Sequence, residues 1–266
     1  MDKREKVVEV GARVGYAARG VVFTTIGILA FLAAKGSGRQ AVGTKGALEL
    51  LLAQPFGRAI LWSVSAGLLC FAIWRIIQAA LDTDGFGSDA KGIVRRIAML
   101  GGAVVNLALS FVAASIALGL GAVADENATA RDWTAWLLSK PLGRPMVMLV
   151  GASIVITGLG LFWKATQAEF RQQIAADSDN RMWIVVLGQF GYVTRGIVFA
   201  MIGAFFVIAA WKFNSGEAAG MSGALRALRH QPYGPYLLTL TGAGLCSYGV
   251  FEFIQSILHR IRVNHA

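Results

Sequence analysis

Four basic residues lie near the ends of long apolar stretches, where a positive charge can do chemistry: Arg19, Arg75, Lys164 and Arg195. A guanidinium or ammonium group at the edge of a hydrocarbon layer can bind a phosphate or another small anion. It can also extend its aliphatic stem and place its charge among lipid headgroups. Two interpretations therefore fit these residues, a basic vestibule that binds an anion and a set of lipid anchors.

Enzymatic motifs are absent from the sequence. It has no Walker loop, no His-Glu-x-x-His and no Cys-x-x-Cys pattern. His230, His259 and His265 lack the clustered spacing of metal ligands. Cys70 and Cys246 fall inside apolar stretches, where we expect them to pack as free thiols. We therefore predict no enzymatic activity, no catalytic residue and no cofactor or metal site.

The rest of the chain has the composition of a membrane protein. Hydrophobic residues make up 56% of its 266 residues, charged residues make up 15%, and the net charge is +10. The apolar residues fall in blocks of about 20, the length of a helix that spans a bilayer. The basic residues are scattered and form no nucleic-acid-binding motif, so we assign them to anionic lipid headgroups. Six transmembrane helices are predicted, at about 15–34, 59–81, 97–121, 145–166, 188–211 and 235–258.

The spans belong to a pattern that recurs along the chain. A Gly-Tyr-x-x-Arg-Gly motif begins at Gly15 and again at Gly191, and a Gln-Pro-x-Gly turn follows each copy, at 54–57 and 231–234. A third turn, at 140–143, marks a middle copy. We predict one integral membrane domain over residues 1–266, with three tandem two-helix repeats arranged as a pseudo-threefold bundle. The repeats cover approximately 11–82, 92–170 and 184–260.

A short apolar segment separates the two spans of each repeat. Each one ends at the proline of the turn, which disfavours helix in the residue before it. The segments are 46–55, 132–141 and 223–232. We expect short helices that lie in the membrane interface, and re-entrant pore helices are the alternative.

The middle repeat departs from the other two. Gly102 stands where the first and third repeats have Arg19 and Arg195, and Asn106 stands where they have a phenylalanine. An asparagine within a span commonly donates a hydrogen bond to a neighbouring helix. It could also line a polar path across the membrane, and we keep both interpretations of Asn106.

An acidic residue, Glu252, falls in the same layer as the basic residues. Arg19 lies sixteen residues before Lys35, which places it about 25 Å from the far side of the span. We predict that Glu252 forms an ion pair with Arg195, which belongs to the same repeat. In the first repeat Arg75 takes the place of the acid, so Arg19 and Arg75 are expected to need an external anion.

Four glycines recur at a spacing of seven residues within spans: Gly20, Gly27, Gly196 and Gly203. Residues at this spacing share one face of a helix. Helices in lipid approach closely across small residues. We interpret these glycines as helix-packing positions, and a binding groove is the alternative.

The orientation in the membrane depends on a small charge bias. The termini and even loops carry eleven basic residues and the odd loops carry ten. The four basic residues just inside the helix ends raise the first number to fifteen. By the positive-inside rule we predict a multi-pass protein with both termini in the cytoplasm.

The chain resembles an uncharacterised family of bacterial membrane proteins, a domain-of-unknown-function family with three tandem two-helix repeats. The resemblance is carried by the Gly-Tyr-x-x-Arg-Gly motifs at 15–20 and 191–196 and by the turns at 54–57 and 231–234. It covers nearly the whole chain. It implies the six-helix fold and a place in the bacterial inner membrane, and it implies no activity.

Two functions fit the sequence. The first is a channel or facilitator for a small ion or solute along the pseudo-threefold axis. The second is a structural or lipid-binding membrane subunit that assists partner proteins. A continuous polar axis would favour the first, and an axis packed with Leu, Phe and Gly would favour the second. The sequence specifies neither a protein partner nor an oligomeric state.

Overall fold

The computed structural model describes residues 3–35, 43–82, 87, 89–120, 126–167 and 182–258. These residues form α-helices, turns and one short 3-10 helix at Ser215–Glu217, and they contain no strand. His259 and His265 lie outside this part of the chain, as do the ends of the second and third predicted repeats. The helices are α1 Lys3–Ala34, α2 Thr44–Leu52, α3 Gly57–Leu81, α4 Ala90–Ala117, α5 Glu126–Leu138, α6 Gly143–Thr166, α7 Met182–Trp211, α8 Met221–Arg229 and α9 Gly234–Leu258.

Six of these helices are long and apolar enough to cross a membrane, which confirms the predicted number of spans. Their side chains leave large apolar areas on the outside, as lipid-facing helices do. The segments of these helices that could span the membrane are Arg13–Ala34, Gly57–Leu81, Gly92–Ala117, Gly143–Thr166, Met182–Trp211 and Gly234–Ile257.

The turn between loop helix and span explains the recurring Pro-Gly motif. The N–H of the turn glycine donates to the carbonyl three residues earlier, over 2.9 Å at Gly57, 2.9 Å at Gly143 and 2.8 Å at Gly234. A Cβ at any of these positions would lie within 2.1 Å of a carbonyl oxygen of the loop helix. Only glycine therefore fits at this close approach.

The chain divides into two compact units, which are described separately. Unit 1 contains the described residues within 1–21, 48–123 and 252–266, and unit 2 contains those within 22–47 and 124–251. Helices α1, α2 and α9 each contribute residues to both units. The loop helices α5 and α8 belong to unit 2.

In unit 1, helix α3 packs against α1 and α4. A Cβ on Gly67 would lie 2.7 Å from the Ala18 methyl group, so α1 and α3 are in close contact. Between α3 and α4, the Ser65 hydroxyl donates to the Ser110 carbonyl over 2.9 Å, and the Ser110 hydroxyl donates to the Ser65 carbonyl over 2.8 Å. Both serines are buried, and this reciprocal pair satisfies their hydroxyl groups inside the protein.

In unit 2, glycines make the closest helix crossings. A Cβ on Gly203 would lie 2.7 Å from the Gly151 carbonyl oxygen, and one on Gly196 would lie 2.7 Å from the Gly158 carbonyl oxygen, so α6 and α7 touch through their backbones. Helix α1 crosses α9 in the same way, since a Cβ on Gly27 would lie 2.6 Å from the Gly242 carbonyl oxygen. Such backbone contact is how helices gain packing energy in lipid.

The same kind of crossing occurs in three helix pairs: α1 with α9, α3 with α4, and α6 with α7. Gly27, Ser110 and Gly203 hold equivalent positions in the three repeats, and each meets a residue eight positions after a turn glycine. Two of the crossings use glycine against glycine, and the third uses serine against serine. Gly20, the remaining predicted packing position, is buried.

Candidate functional site

The Gly-Tyr-x-x-Arg motif of the first repeat packs against the aromatic ring of Phe71 on α3. A Cβ on Gly15 would lie 2.4 Å from the Phe71 Cβ, so the two helices touch at this point. The Tyr16 ring packs edge-on against Phe71 with centroids 5.1 Å apart. The Arg19 guanidinium lies over the same ring, 4.6 Å from its centroid. The motif therefore forms one contact unit, in which a close approach, a ring pair and a cation–π contact share one side chain.

The third repeat builds the same contact unit around Tyr248 on α9. A Cβ on Gly191 would lie 2.6 Å from the Tyr248 Cα, and the Tyr192 ring meets Tyr248 edge-on at 5.4 Å. The Arg195 guanidinium lies 4.7 Å from the Tyr248 centroid and also donates a hydrogen bond to the Tyr248 hydroxyl. Tyr248 and its counterpart Phe71 each follow the turn glycine of their repeat by fourteen residues.

Sequence reasoning missed these two rings. Their identical distance from the turn glycine is a signal that could have found them, although one is phenylalanine and the other tyrosine. The middle repeat has Thr157 at this position, and Met99 in place of the motif tyrosine. The Thr157 hydroxyl donates to the Ser153 carbonyl of its own helix over 2.8 Å. Ring, tyrosine and arginine are thus missing together.

In unit 1, two basic residues lie together with an aromatic ring and an acid. We call these four residues the first cluster: Arg19, Phe71, Arg75 and Glu252. The Arg19 Nη2 and the Glu252 Oε1 lie 3.4 Å apart, and the two side chains are only 8% and 2% exposed. The Arg75 guanidinium lies 5.1 Å from the Phe71 centroid and donates to Gln78 Oε1 over 3.4 Å. Both arginines therefore share the Phe71 ring, and Arg19 also pairs with the Glu252 carboxylate.

The ion pair in the first cluster corrects our prediction for Glu252. We expected its partner to be Arg195 of the same repeat, whereas the structure pairs it with Arg19 of the first repeat. The physical reason is helix adjacency. The last helix crosses the first one, with Gly27 against Gly242, so the first span supplies the base that meets the acid on α9.

In unit 2, two basic residues lie together with two tyrosines. We call these four residues the second cluster: Lys164, Tyr192, Arg195 and Tyr248. Besides the Tyr248 ring, Phe23 and Phe199 each place a ring centroid 4.9 Å from the Arg195 guanidinium. Within the described ranges no carboxylate lies within ion-pair distance of Arg195, and its buried Nε has no hydrogen-bond partner. The guanidinium is thus held by aromatic faces and one hydroxyl, and its positive charge is not neutralised there.

Lys164 extends this cluster toward solvent. It lies in the last turn of α6, it is exposed, and its Nζ is 3.5 Å from the Tyr192 hydroxyl and 5.1 Å from the Tyr192 ring centroid. Because Tyr192 packs on Tyr248, the two tyrosines connect Lys164 to Arg195. Two positive charges and two hydroxyl groups that can donate hydrogen bonds form a suitable environment for a phosphate or another anion.

The predicted polar position Asn106 lies in unit 1 and is buried. Its amide Nδ2 donates over 2.7 Å to the carbonyl of Gly102, one turn earlier on the same helix. Because the acceptor lies on the same helix, this hydrogen bond does not connect α4 to a neighbouring helix. Across the described ranges no group of three or more His, Cys, Asp or Glu is placed to hold a metal ion.

Six apolar spans in three two-helix repeats define a multi-pass, all-helical membrane protein. The chain belongs to the family described as Domain of Unknown Function (DUF1206), whose model matches residues 14–82, 97–168 and 190–259. These three matched segments confirm the threefold repeat. The chain is 32% identical over 248 residues to "Uncharacterized protein YxxB" of Bacillus subtilis (strain 168), which covers 92% of this chain and 89% of that protein. No solved structure matches the chain.

Proposed function

We propose that this chain is a structural, lipid-binding protein of the bacterial inner membrane, without enzymatic activity, and that the second cluster binds an anionic lipid headgroup. The observation that carries the proposal is the pairing of Lys164 and Arg195 through two tyrosines, with no carboxylate among the described residues within ion-pair distance of either base. A phosphodiester would supply the missing negative charge and accept hydrogen bonds from both residues. The exposed Lys164 gives a headgroup access to the cluster.

The interior of each unit supports this function over a channel. The largest fully buried side chains are almost all apolar: Leu61 and Leu68 belong to unit 1, and Leu238 and Leu245 belong to unit 2. Several buried polar side chains donate hydrogen bonds to backbone carbonyls of the protein, as the serine pair does between two helices and Asn106 does within one. An ion path would instead need polar groups that remain available to the ion.

The proposed orientation places both termini in the cytoplasm. Lys164 then lies at the cytoplasmic end of its span, next to the leaflet that carries anionic lipid, and Arg195 lies deeper in the cytoplasmic half of its own helix. A base at this depth gains from the negative surface potential, worth about 1 kcal/mol per residue near the surface. The same placement suits a subunit that assists partner proteins while anchored by a bound lipid.

The proposal is tested by lipid retention. The protein is reconstituted in phosphatidylcholine vesicles that contain phosphatidylglycerol, extracted gently, and weighed by native mass spectrometry. We expect bound phosphatidylglycerol on the wild-type protein and a several-fold loss when Lys164→Gln and Arg195→Gln are combined. The matched control removes two exposed bases at the opposite span ends, Lys140→Gln and Arg144→Gln, and should retain the lipid.

A flux assay in the same vesicles addresses the rival function. Chloride and potassium efflux should be no faster than from vesicles without protein. Retention that is unchanged in the Lys164 and Arg195 double variant would contradict the lipid site. Ion flux that this variant abolishes would instead favour a channel or facilitator.

A further inference from the structure

One position on the second span of each repeat carries a different kind of residue in each of the three repeats. It lies eighteen residues after the turn glycine, and we call it the facing position. It is occupied by Arg75 on α3, Leu161 on α6 and Glu252 on α9. The three helices share one register, because in each of them the residue eight positions after the turn glycine makes the helix crossing. The three facing positions can therefore be compared directly.

On α9 the facing position supplies an internal counter-ion. Glu252 pairs with Arg19, the motif arginine of α1, with Nη2 and Oε1 3.4 Å apart. Both side chains are buried, so water and lipid headgroups have little access to this arginine. The charge of Arg19 is thus neutralised by the protein itself, and this crossing needs no external anion.

On α6 the facing position carries a leucine, which cannot accept a hydrogen bond. A Cβ on Gly196, the residue that follows Arg195, would lie 3.6 Å from the Leu161 Cβ, so Leu161 packs on α7 beside the motif arginine. The Arg195 Nε is buried and has no partner among the described residues, and its side chain is half-buried where that of Arg19 is buried. Lys164 lies three residues beyond Leu161 and adds a second positive charge. Arg195 therefore has a donor and a charge to offer to an anion.

At the crossing of α3 and α4 the motif arginine itself is replaced. The facing position of α3 carries Arg75, and α4 has Gly102 where the other repeats have their arginine. Two guanidinium groups side by side without an acid would repel each other, most strongly where water is scarce. The three crossings pair arginine with an acid, arginine with leucine, and glycine with arginine. The motif residue and the facing residue are therefore never both basic.

We propose that the facing residue determines which anion the motif arginine binds: Glu252 gives Arg19 an internal carboxylate, and Leu161 leaves Arg195 to the phosphate of an anionic lipid headgroup. The inference rests on the proposed lipid site and names the residue that keeps this site open. A carboxylate at position 161 would accept hydrogen bonds from Arg195 and cancel one of the two positive charges of the second cluster. It would then compete with the phosphate for the same donor groups.

Lipid retention tests this selection, with the protein extracted from phosphatidylcholine vesicles that contain phosphatidylglycerol and weighed by native mass spectrometry. Leu161→Glu should lower the bound phosphatidylglycerol several-fold relative to the wild type. Leu161→Gln has nearly the same size without the charge and should retain much more of it than Leu161→Glu does. The converse variant, Glu252→Gln, removes the internal carboxylate from Arg19 and should bind one phosphatidylglycerol more than the wild type. The half-buried Arg75 gives that lipid access to the first cluster.

A measurement without lipid separates this inference from the proposed function. In detergent free of anionic lipid, Arg195→Gln is added to Leu161→Glu and to Leu161→Gln, and the unfolding equilibrium constants are compared. The loss of Arg195 should raise that constant about tenfold more in the Leu161→Glu protein, because a hydrogen bond between charged groups is lost only there.

Three results would overturn the inference. The first is an equal effect of Arg195→Gln in the two proteins, whether or not the wild type retains phosphatidylglycerol. The second is a Leu161→Glu protein that retains as much of this lipid as Leu161→Gln does. The third applies if Leu161→Glu fails to fold, and it is a Glu252→Gln protein that binds no additional phosphatidylglycerol. A wild type without bound lipid, combined with the expected coupling in detergent, would refute the lipid site and support the pairing of position 161 with Arg195.

Discussion

The first and third repeats differ from the middle repeat at the end of the spans where the Gly-Tyr-x-x-Arg motif lies. In the outer repeats an arginine and a tyrosine contact one ring, Phe71 or Tyr248. The middle repeat has Met99, Gly102 and Thr157 at the corresponding positions. The three partners are absent together because each is useful only with the others: a guanidinium in hydrocarbon needs a ring or an anion to face.

At the loop side the difference is reversed. There the middle repeat carries the distinctive residues, Glu126 and Asn127, which accept hydrogen bonds from N–H groups at the starts of α2 and α8, and the outer repeats contribute those helix N-termini with glycines beside them. The outer repeats therefore hold positive charge at one end of the spans, and the middle repeat joins the loop helices at the opposite end.

The largest expected effect comes from removing the acid of the first cluster. Glu252→Gln takes the negative charge away from a buried guanidinium, and breaking such a pair typically costs about 3 kcal/mol or more. The measurement is the free energy of unfolding in detergent, or the midpoint of thermal unfolding.

The control for this prediction is Glu217→Gln, which breaks the partly exposed pair with Lys212. Its effect should be below about 1 kcal/mol, because water screens the pair. Equal losses in the two variants would show that Glu252 and Arg19 do not form a buried pair in the folded protein.

A smaller loss is expected from filling the close approach in the third repeat. Gly191→Ala would place a Cβ 2.6 Å from the Tyr248 backbone, which has to move, at a cost of about 2 kcal/mol. Gly160→Ala on α6 is the matched control, since nothing lies within 4 Å of its Cβ. That variant should be neutral or slightly stabilised, because alanine favours helix over glycine. If the Gly191→Ala protein were as stable as the Gly160→Ala protein, the close approach of Gly191 to Tyr248 would not contribute to the stability of the motif.

Much of the fold could be predicted because hydrophobic blocks and turn motifs are local signals. Span length follows from bilayer thickness, and each turn glycine is required by a carbonyl in the same loop helix. The partner of Glu252 could not be found in this way, since the sequence does not state that the first and last helices are neighbours. Glu126 escaped notice because it lies in a loop segment that looks solvated, and only the folded loop helices bury its carboxylate oxygen.

The most direct test of the central claim is a double-mutant cycle on Arg195 and Tyr248. Arg195→Gln, Tyr248→Leu and the combination are compared with the wild type by unfolding in detergent. A cation–π contact together with a hydrogen bond predicts a coupling of about 1 kcal/mol or more. Arg195→Gln combined with Thr239→Ala, at the other end of α9, should be additive. Additivity for Arg195 and Tyr248 as well, within about 0.3 kcal/mol, would contradict the claim that the motif and its ring act as one contact unit.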